Sequence, residues 1–553
     1  MPARFVNIDR QTPMLLPPDL RDWVPADDLV HFVIASVEGF DLRGFVVNER
    51  GTGDAQFPPA MMLALLIYCY ANGVFSSRRI EKATYRDVAV RSLCADRHPD
   101  HDTICEFRRR NFEAVADCFL KVLLLAKELR LLKVGTISLD GTRLDASASK
   151  HRNVTYARAG ELVTQLEGEI RELLTKAESA DRAGEADPRS LPPELARRER
   201  LRDQLQAARE RLEAQARARA ASERAEYEAK CAAREQREGK RKGPKPKPPS
   251  AEPRPDEQTN LSDPESRLRR KSKNAVWQQG YNAQAAVDAD GSALILAAPL
   301  VNNAADQGQL QPGVEAVSAE VGEVKAVLAD SGYGDGAQVE ALQARGIEAY
   351  VSVQAEAAQL ARTHDFRPAH RRSERPVAEP KAPWRVAMKA KLSTDEGRAR
   401  YRKRWSTVEP VFGVIKAAMG FRQFRLRGLE NVRGEWQLVC LAYNFRRLWK
   451  LKTQAERGPS AAARRPWARW RGLSGRPGRL RIAPSRRWPA ARRFCRLTRR
   501  SSPATPANSD KLLGRRRGSG LRRPENDKPP ARGGRHRQSA AASPRPRTGP
   551  APH

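Results

Sequence analysis

Cysteine is scarce and scattered. The seven cysteines in 553 residues (Cys69, Cys94, Cys105, Cys118, Cys231, Cys440 and Cys495) form no CxxC pair and no Cys/His cluster at zinc spacing. A disulfide framework and a structural zinc module are thereby excluded, and the thiols read as reduced, mostly buried small hydrophobes. Long apolar runs are missing too: the longest, MMLALLIYCY from Met61 to Tyr70, falls well short of a membrane span. No secretory leader is visible, so a cytoplasmic protein without a membrane partner is expected. Acidic charge is in deficit, with 101 Lys/Arg against 66 Asp/Glu, a net charge of +35. The excess is uneven, because residues 451–553 hold 28 Lys/Arg and 4 Asp/Glu, or +24, and leave about +11 for the first 450. Clustered Lys and Arg gain affinity for polyanions by releasing phosphate counterions, so nucleic acid is the favoured partner, DNA or RNA alike.

What is present divides the chain into unlike stretches. Residues 1–132 read as all-helical. Pro58 and Pro59 open the apolar run to Tyr70, Ser76–Ala83 starts a second helix and Asp87–Ala95 makes a third. Thr103 and Glu106 have capping-box spacing ahead of a long amphipathic helix carrying Phe107, Phe112, Val115, Phe119 and Val122. Arg78, Arg79, Arg86, Arg91 and Arg108 to Arg110 could set one helix in a DNA groove, or could form the solvated face of an ordinary bundle.

A first strand falls within residues 133–150, after which sheet signals vanish for more than a hundred residues. Leu162, Leu166, Ile170 and Leu173 have helical spacing, and Leu201, Leu205, Ala208 and Leu212 repeat a coiled-coil rhythm. Asp187-Pro188 and Leu191-Pro192-Pro193 separate the two runs, which predicts an antiparallel helical hairpin, either a charged spacer or an arm for dimerisation or DNA clamping. Lys240–Pro255 is a Pro/Lys linker. Sheet signals resume at Gly280–Asp290, turn at Asp290-Gly291 and return as Ser292–Val301. A helix over Gln307–Val321, the strand AVLAD, a helix over Gln338–Arg345 and a strand over Ile347–Val353 follow, giving a mixed α/β sheet. Beyond about residue 455 the Arg/Pro/Gly/Ser-rich sequence has no sustained period and reads as a disordered tail.

Three acids stand out against this layout. Asp140 closes TISLD, Asp330 closes AVLAD, and Glu409 lies in YRKRWSTVEPVFGVIK. Glycine follows the first two at once or after one residue, so both carboxylates are expected where strands stop, at the edge where open α/β sheets place their sites. Lys416 lies two turns beyond Glu409 on the same helix face. Three carboxylates meeting at one edge would hold two divalent cations and support in-line phosphoryl displacement. Alternatives stay open: Ser406 and Glu409 also match a capping box with Pro410 in the first turn, and Asp145, Asp288, Asp306 and Asp335 are rival carboxylates.

These segments carry a resemblance. LLPPDLRDWVPADDL, PPAMMLALLIYCYANGVFSSRRIEKA, PDHDTICEFRRRNF, SLDGTRLDASASKHRN, GYNAQAAVD, ADSGY, YRKRWSTVEPVFGVIK and RGLENVRGEWQLVCLAYNFRRLWKL occur in an order that resembles the DDE transposases of bacterial insertion sequences, those with a Tyr-Arg-Glu-Lys signature. The resemblance implies an RNase H-like catalytic domain, residues 133–155 and 275–450, behind a helical DNA-binding domain, residues 1–132. The charged helical insertion with its linker at 156–274 and the basic disordered tail at 451–553 are read from the residues; family members that interrupt the fold do so just before the glutamate helix instead, so the resemblance gives the insertion no role. The resemblance further implies that Asp140, Asp330 and Glu409 are catalytic and bind two Mg²⁺ ions, with Mn²⁺ as a substitute. Tyr401, Arg404 and Lys416 would contact element-end DNA, with Arg422, Arg425 and Arg427 extending the positive track and Arg78, Arg79 and Arg108 serving the N-terminal domain. Double-stranded DNA, both element ends and target, would be the partner of a homodimer or larger synaptic complex that cleaves and transfers strands. One departure is that four residues separate Arg404 from Glu409 where the signature has three. A DNA-binding remnant that no longer cuts, or an RNase H-like nuclease without strand transfer, are the alternatives.

Overall fold

The computed structural model describes residues 19–47, 56–183, 191–235, 247–270, 276–303, 305–353, 380 and 382–457. The N-terminal region is helical: α1 (Leu29–Glu38), α2 (Pro59–Ala71), α3 (Ser77–Arg86), α4 (Val88–Leu93), α5 (His101–Arg110) and α6 (Phe112–Glu128). Pro59 opens α2, where its missing N–H costs nothing. Asp28, Asp87 and Asp100 cap α1, α4 and α5 by accepting from the amides of Val30, Val90 and Thr103. Asp100, not Thr103, is therefore the cap. Thr103 and Glu106 lie inside α5, where Glu106 pairs with Arg110, so the expected capping box is not formed. The long helix expected after it also breaks at Asn111, whose side chain accepts from Val46 N and donates to Phe107 O.

The sheet follows in two instalments. β1 (Thr136–Asp145) leads through β2 (Asn153–Thr155) into the helices α7 (Tyr156–Ala183) and α8 (Leu191–Glu235), and the chain returns through β3 (Gln258–Asn260) and β4 (Arg267–Arg269). Then come β5 (Gln278–Asp288), β6 (Ile295–Ala297), β7 (Leu300–Val301), α9 (Leu310–Glu315), β8 (Ala326–Ala329), α10 (Gly336–Ala344) and β9 (Glu348–Val351). The seven-stranded sheet has the order β4-β5-β1-β8-β9, with β6 and β7 also pairing β5. β1, β8 and β9 run parallel, whereas β5 is antiparallel to β1, β4, β6 and β7. This is the expected mixed, RNase H-like α/β sheet beside a helical N-terminal region.

Three details differ from expectation. Strand β1 does not stop at Asp140: β5 pairs it from Ile137 through Asp145, and Gly141 continues the ladder opposite Gln284. Gly141 is required by close approach instead of a turn, since a Cβ there would meet Asp306 Oδ1 at 2.4 Å and Gln284 Nε2 at 2.5 Å. The sheet also resumes before residue 275, because β4 pairs with β5 and β3 pairs with β2 at the foot of the hairpin. The helix expected over Gln307–Val321 is confined to Leu310–Glu315.

The hairpin itself is antiparallel. Arg198 Nε reaches Glu169 at 2.9 Å and Tyr156 Oη donates to Glu213 at 2.8 Å, with Val163, Leu166 and Leu205 packed at its base. Three further helices complete the fold: Pro383–Ser393, the glutamate helix Asp395–Gly413, and a C-terminal helix Leu429–Arg457. The last buries Trp436, Leu438, Leu441, Phe445 and Leu448 in one core shared by the sheet and the N-terminal helices. Trp436 is a packing residue, its Nε1 donating to Gln284 O, and Asn444 brackets β6 by bonding both the amide and the carbonyl of Ile295. The helix runs to Arg457, past the expected tail boundary at 451; the rest of the tail and much of the Lys240–Pro255 linker lie outside the described residues. Among the described residues no helix is long and apolar enough to cross a membrane.

Candidate active site

Strand register brings the first two acids together. Leu139 lies beside Ala329 at the end of the parallel β1/β8 pair, so Asp140 and Asp330 are the next residue on each neighbouring strand. Asp330 caps the turn Ser331–Tyr333 by accepting from Gly332 N at 2.8 Å, and Asp140 accepts from Gly141 N at 2.8 Å. Glu409 comes from the glutamate helix, which packs across β1, β5 and β8. It is not a helix cap: the helix starts at Asp395 under Thr394, Ser406 Oγ donates to Lys403 O, and Pro410 lies in the helix interior. Just beyond, Val414–Ala418 is wound as a π turn, a local widening that recurs at functional sites.

Arg404 joins the acids. Its Nη2 donates to Asp140 Oδ2 at 2.8 Å and its Nη1 to Glu409 Oε1 at 3.4 Å, with the guanidinium largely buried and Glu409 half exposed. Burial pushes the Asp140 carboxyl up to about 6; Arg404 opposes this, while Asp330 and Asp306 add to it. Burial alone would lower the Arg404 guanidinium, but Asp140, Tyr401, Asp330 and Glu409 hold it above its usual range.

Asp306 is the residue that sequence reading left among the rivals. Its Oδ1 accepts from Asn282 Nδ2 and Gln284 Nε2, both at 2.7 Å, and Gln284 accepts in turn from Tyr333 Oη. A Cβ on Gly332 would lie 3.0 Å from Asp330 Oδ1 and 3.4 Å from Asp306 Oδ2, so the two carboxylates flank one small space. The usable signal was the pair of amides in GYNAQ, two residues apart on one strand face. Two other rivals have structural partners, Asp288 holding Ser292 in the hairpin turn and Asp335 capping α10, while Asp145 ends β1 near Lys416 and Arg269.

The donors suit a hard divalent cation: all are oxygens, Asp140 and Asp330 repel one another in a partly buried setting, and Glu409 faces them from the helix. Among the described residues no three acid, His or Cys side chains close into a cage. Arg404 occupies the space between Asp140 and Glu409.

The expected DNA contacts separate into two groups. Arg78, Arg79, Arg422, Arg425 and Arg427 are exposed. The last three alternate with the buried Phe421 and Phe424, so aromatics anchor the loop while arginines face out, Arg427 also donating to Ser147 O. Lys416 donates to Arg143 O at 3.1 Å. Arg108 and Tyr401 are corrections to a surface role. Arg108 is 3% exposed and donates to Tyr70 Oη and Phe75 O, while Tyr401, 6% exposed, turns towards Ser352, so each spends its polar atoms inside the protein. Arg404 likewise points at the acids.

Against known families, residues 250–445 match the model described as Transposase DDE domain and residues 18–110 match Transposase domain (DUF772), together just over half of the chain. No curated protein and no solved structure matches. The two family models define a DDE transposase, and the mixed sheet beside a helical N-terminal region is consistent with it. The chain belongs to the insertion-sequence type of that family, whose substrate is DNA and whose members generally use divalent metal ions. Asp330 and Glu409 fall inside the matched DDE segment, whereas Asp140 precedes it across the hairpin insertion and joins the site through strand register.

Proposed function

We propose that this transposase, of the Tyr-Arg-Glu-Lys subtype, binds the terminal inverted repeats of its own element, cleaves the strands there and joins them to target DNA. The observation that carries the reading is the meeting of Asp140, Asp330 and, through Arg404, Glu409 at the edge of a mixed sheet. Asp140, Asp330 and Glu409 would hold Mg²⁺, or Mn²⁺ in its place. When bound, two such ions supply an activated water or hydroxyl and stabilise the leaving oxygen of an in-line displacement. The chain's own contribution is positional: the β1/β8 register fixes two carboxylates, the glutamate helix presents the third, and Arg404 orients Asp140 and Glu409 by direct hydrogen bonds. The exposed Arg422, Arg425 and Arg427, with Lys416, would follow the DNA backbone, and Arg78 and Arg79 on α3 would serve the repeat-binding region. Two ends must be handled together, which calls for a homodimer or larger assembly, acting in the cytoplasm where the element's DNA lies.

The test is cleavage and joining of a labelled duplex carrying the flanking inverted repeats. Asp140→Ala, Asp330→Ala and Glu409→Ala should each reduce cleavage by about a thousandfold or more while repeat binding persists. An intact chain that binds the repeats and never cuts would be a DNA-binding remnant, and cutting that survives Glu409→Ala would displace that residue from the site.

A further inference from the structure

Among the described residues, one buried cation has no hydrogen-bond partner. Arg269, on the edge strand β4, is 6% exposed, and its Nε, Nη1 and Nη2 are all buried with no hydrogen-bond acceptor among the described residues. The side chain crosses β5 at Gly280, where its Nε comes within 3.6 Å of the position a Cβ would take. A residue other than glycine there would also meet the Leu144 carbonyl at 2.5 Å, so the glycine opens the path over the strand. Gly280 lies opposite Asp145, and Asn282, two residues on, lies opposite Arg143. Arg269 is thus delivered to the protruding end of β1, on the strand face that carries Arg143 and Asp145.

Charge there is unbalanced. Burial and the neighbouring Arg143 push Arg269 down, to about 10, which leaves it cationic at neutral pH, and the nearby Asp306 and Asp145 act in the other direction. Neither acid forms an ion pair with it among the described residues. Asp306 Oδ1 is committed to Asn282 and Gln284, and Asp145 is shared electrostatically with Lys416. Arg143 is exposed, and Lys416 Nζ donates to its carbonyl at 3.1 Å. Arg269 and Lys416 therefore share the single carboxylate of Asp145, and Arg143 adds a third positive charge beside Arg269. A buried guanidinium without a counterion is costly, and such a group persists where its counterion arrives with a ligand.

We propose that Arg269, Arg143 and Lys416 form an anion seat for a backbone phosphate of the DNA strand, about 10 Å along β1 from Asp140. Arg143 and Lys416 form the accessible rim, and Arg269 supplies positive potential from beneath. The inference rests on the transposase reading and adds a contact that lies outside the Tyr-Arg-Glu-Lys positions except for Lys416. It also gives β4 a purpose: the strand brings the guanidinium to the end of β1 from across β5.

The test is DNA binding by the full chain as a function of salt, with Arg269→Met and Arg143→Gln. Each variant should bind the element-end duplex roughly tenfold more weakly at low salt and lower the salt slope by about one phosphate contact. Arg269→Met should keep or raise the melting temperature, because it removes an unpaired buried charge. Inorganic phosphate provides the second arm: it should raise the melting temperature of the wild type and not of Arg269→Met. Arg269→Met that binds DNA with the wild-type slope overturns the seat, as does loss of its folding while Arg143→Gln binds normally. Phosphate protection without any change in DNA slope would assign the seat to a free anion and overturn the DNA assignment. Wild type that does not bind DNA at all would instead remove the transposase reading on which the seat depends.

Discussion

Glu435 and Asp140 are both carboxylates withdrawn from water near an arginine, and burial pushes both up, yet the neighbours that act on them differ. Glu435, on the C-terminal helix, is fully buried and accepts from the backbone amides of Arg425 and Leu426 at 2.9 and 3.0 Å, with Arg108 as the nearby positive charge. It ties the basic loop over Phe421–Gly428 to the core where the N-terminal helices meet the sheet. Asp140 has one backbone amide and one arginine, but it also faces Asp330 and Asp306. Burial raises both carboxyls; at Glu435 Arg108 and the two amides oppose the rise, though its Oε1 has no hydrogen bond, whereas at Asp140 two further acids add to it. Like charges gathered in a partly buried setting are typical of functional sites, and under the proposed function a cation would relieve them, so the two carboxylates separate what holds the fold from what the fold is for.

Removing each group is the most direct way to break the comparison. Glu435→Ala strips two backbone amides of their acceptor and leaves Arg108 buried without its compensating charge, a change worth about 3–5 kcal/mol of stability. Glu435→Gln retains an acceptor oxygen and should recover a large part of that loss. Urea unfolding of both variants measures the difference; equal and small effects would show that the Glu435 side chain does not hold the loop.

Asp140→Asn should move stability the other way. The folded-state carboxyl titrates at about 6, above its ordinary value of 3.8, so the folded chain keeps a proton that the unfolded chain has lost. Stability therefore falls as pH rises from about 4 to 6 and stays reduced above that, by about 3 kcal/mol. The asparagine variant, which cannot ionise, should be more stable than wild type by up to that amount at pH 7.5 and no more stable at pH 3.5. A destabilised variant at pH 7.5 would mean that the Arg404 pair outweighs the repulsion from Asp330 and Asp306.

Legibility followed the same division. The helical N-terminal region, the hairpin insertion, the D-G turn and the strands around AVLAD and IEAYVSV were readable because their apolar periods and capping residues are local. What was missed depends on partners distant in sequence. Gly141 looked like a strand end, but β5, more than a hundred residues later, pairs straight through it. Strand β4 is three residues of Arg-Leu-Arg with no apolar signal, and it exists because β5 offers an edge. Asp140, Asp330 and Glu409 were nominated by sequence motifs, whereas Asp306 acquires its place from Asn282 and Gln284, and Arg404 from the acids it bridges. Arg108 read as a surface cation because an arginine at the end of an amphipathic helix usually is one, and Tyr70 and Glu435, which explain its burial, lie on other helices.

The smallest expected effect sharpens the contrast between the two carboxylates under conditions where both remain intact. A divalent cation that binds the folded site and not the unfolded chain stabilises it by about 2 kcal/mol at some thirty times its Kd. That gain must compete with the proton on Asp140, so Mg²⁺ should raise the melting temperature at pH 7.5 and progressively less as pH falls through about 6. In Asp140→Asn the Mg²⁺ increment should nearly vanish at every pH, while Glu435→Gln should retain it in full from a lower starting temperature. Retention of the increment in Asp140→Asn would place the cation on Asp330, Asp306 and Glu409 without the first acid, and would leave Asp140 the role of holding Arg404.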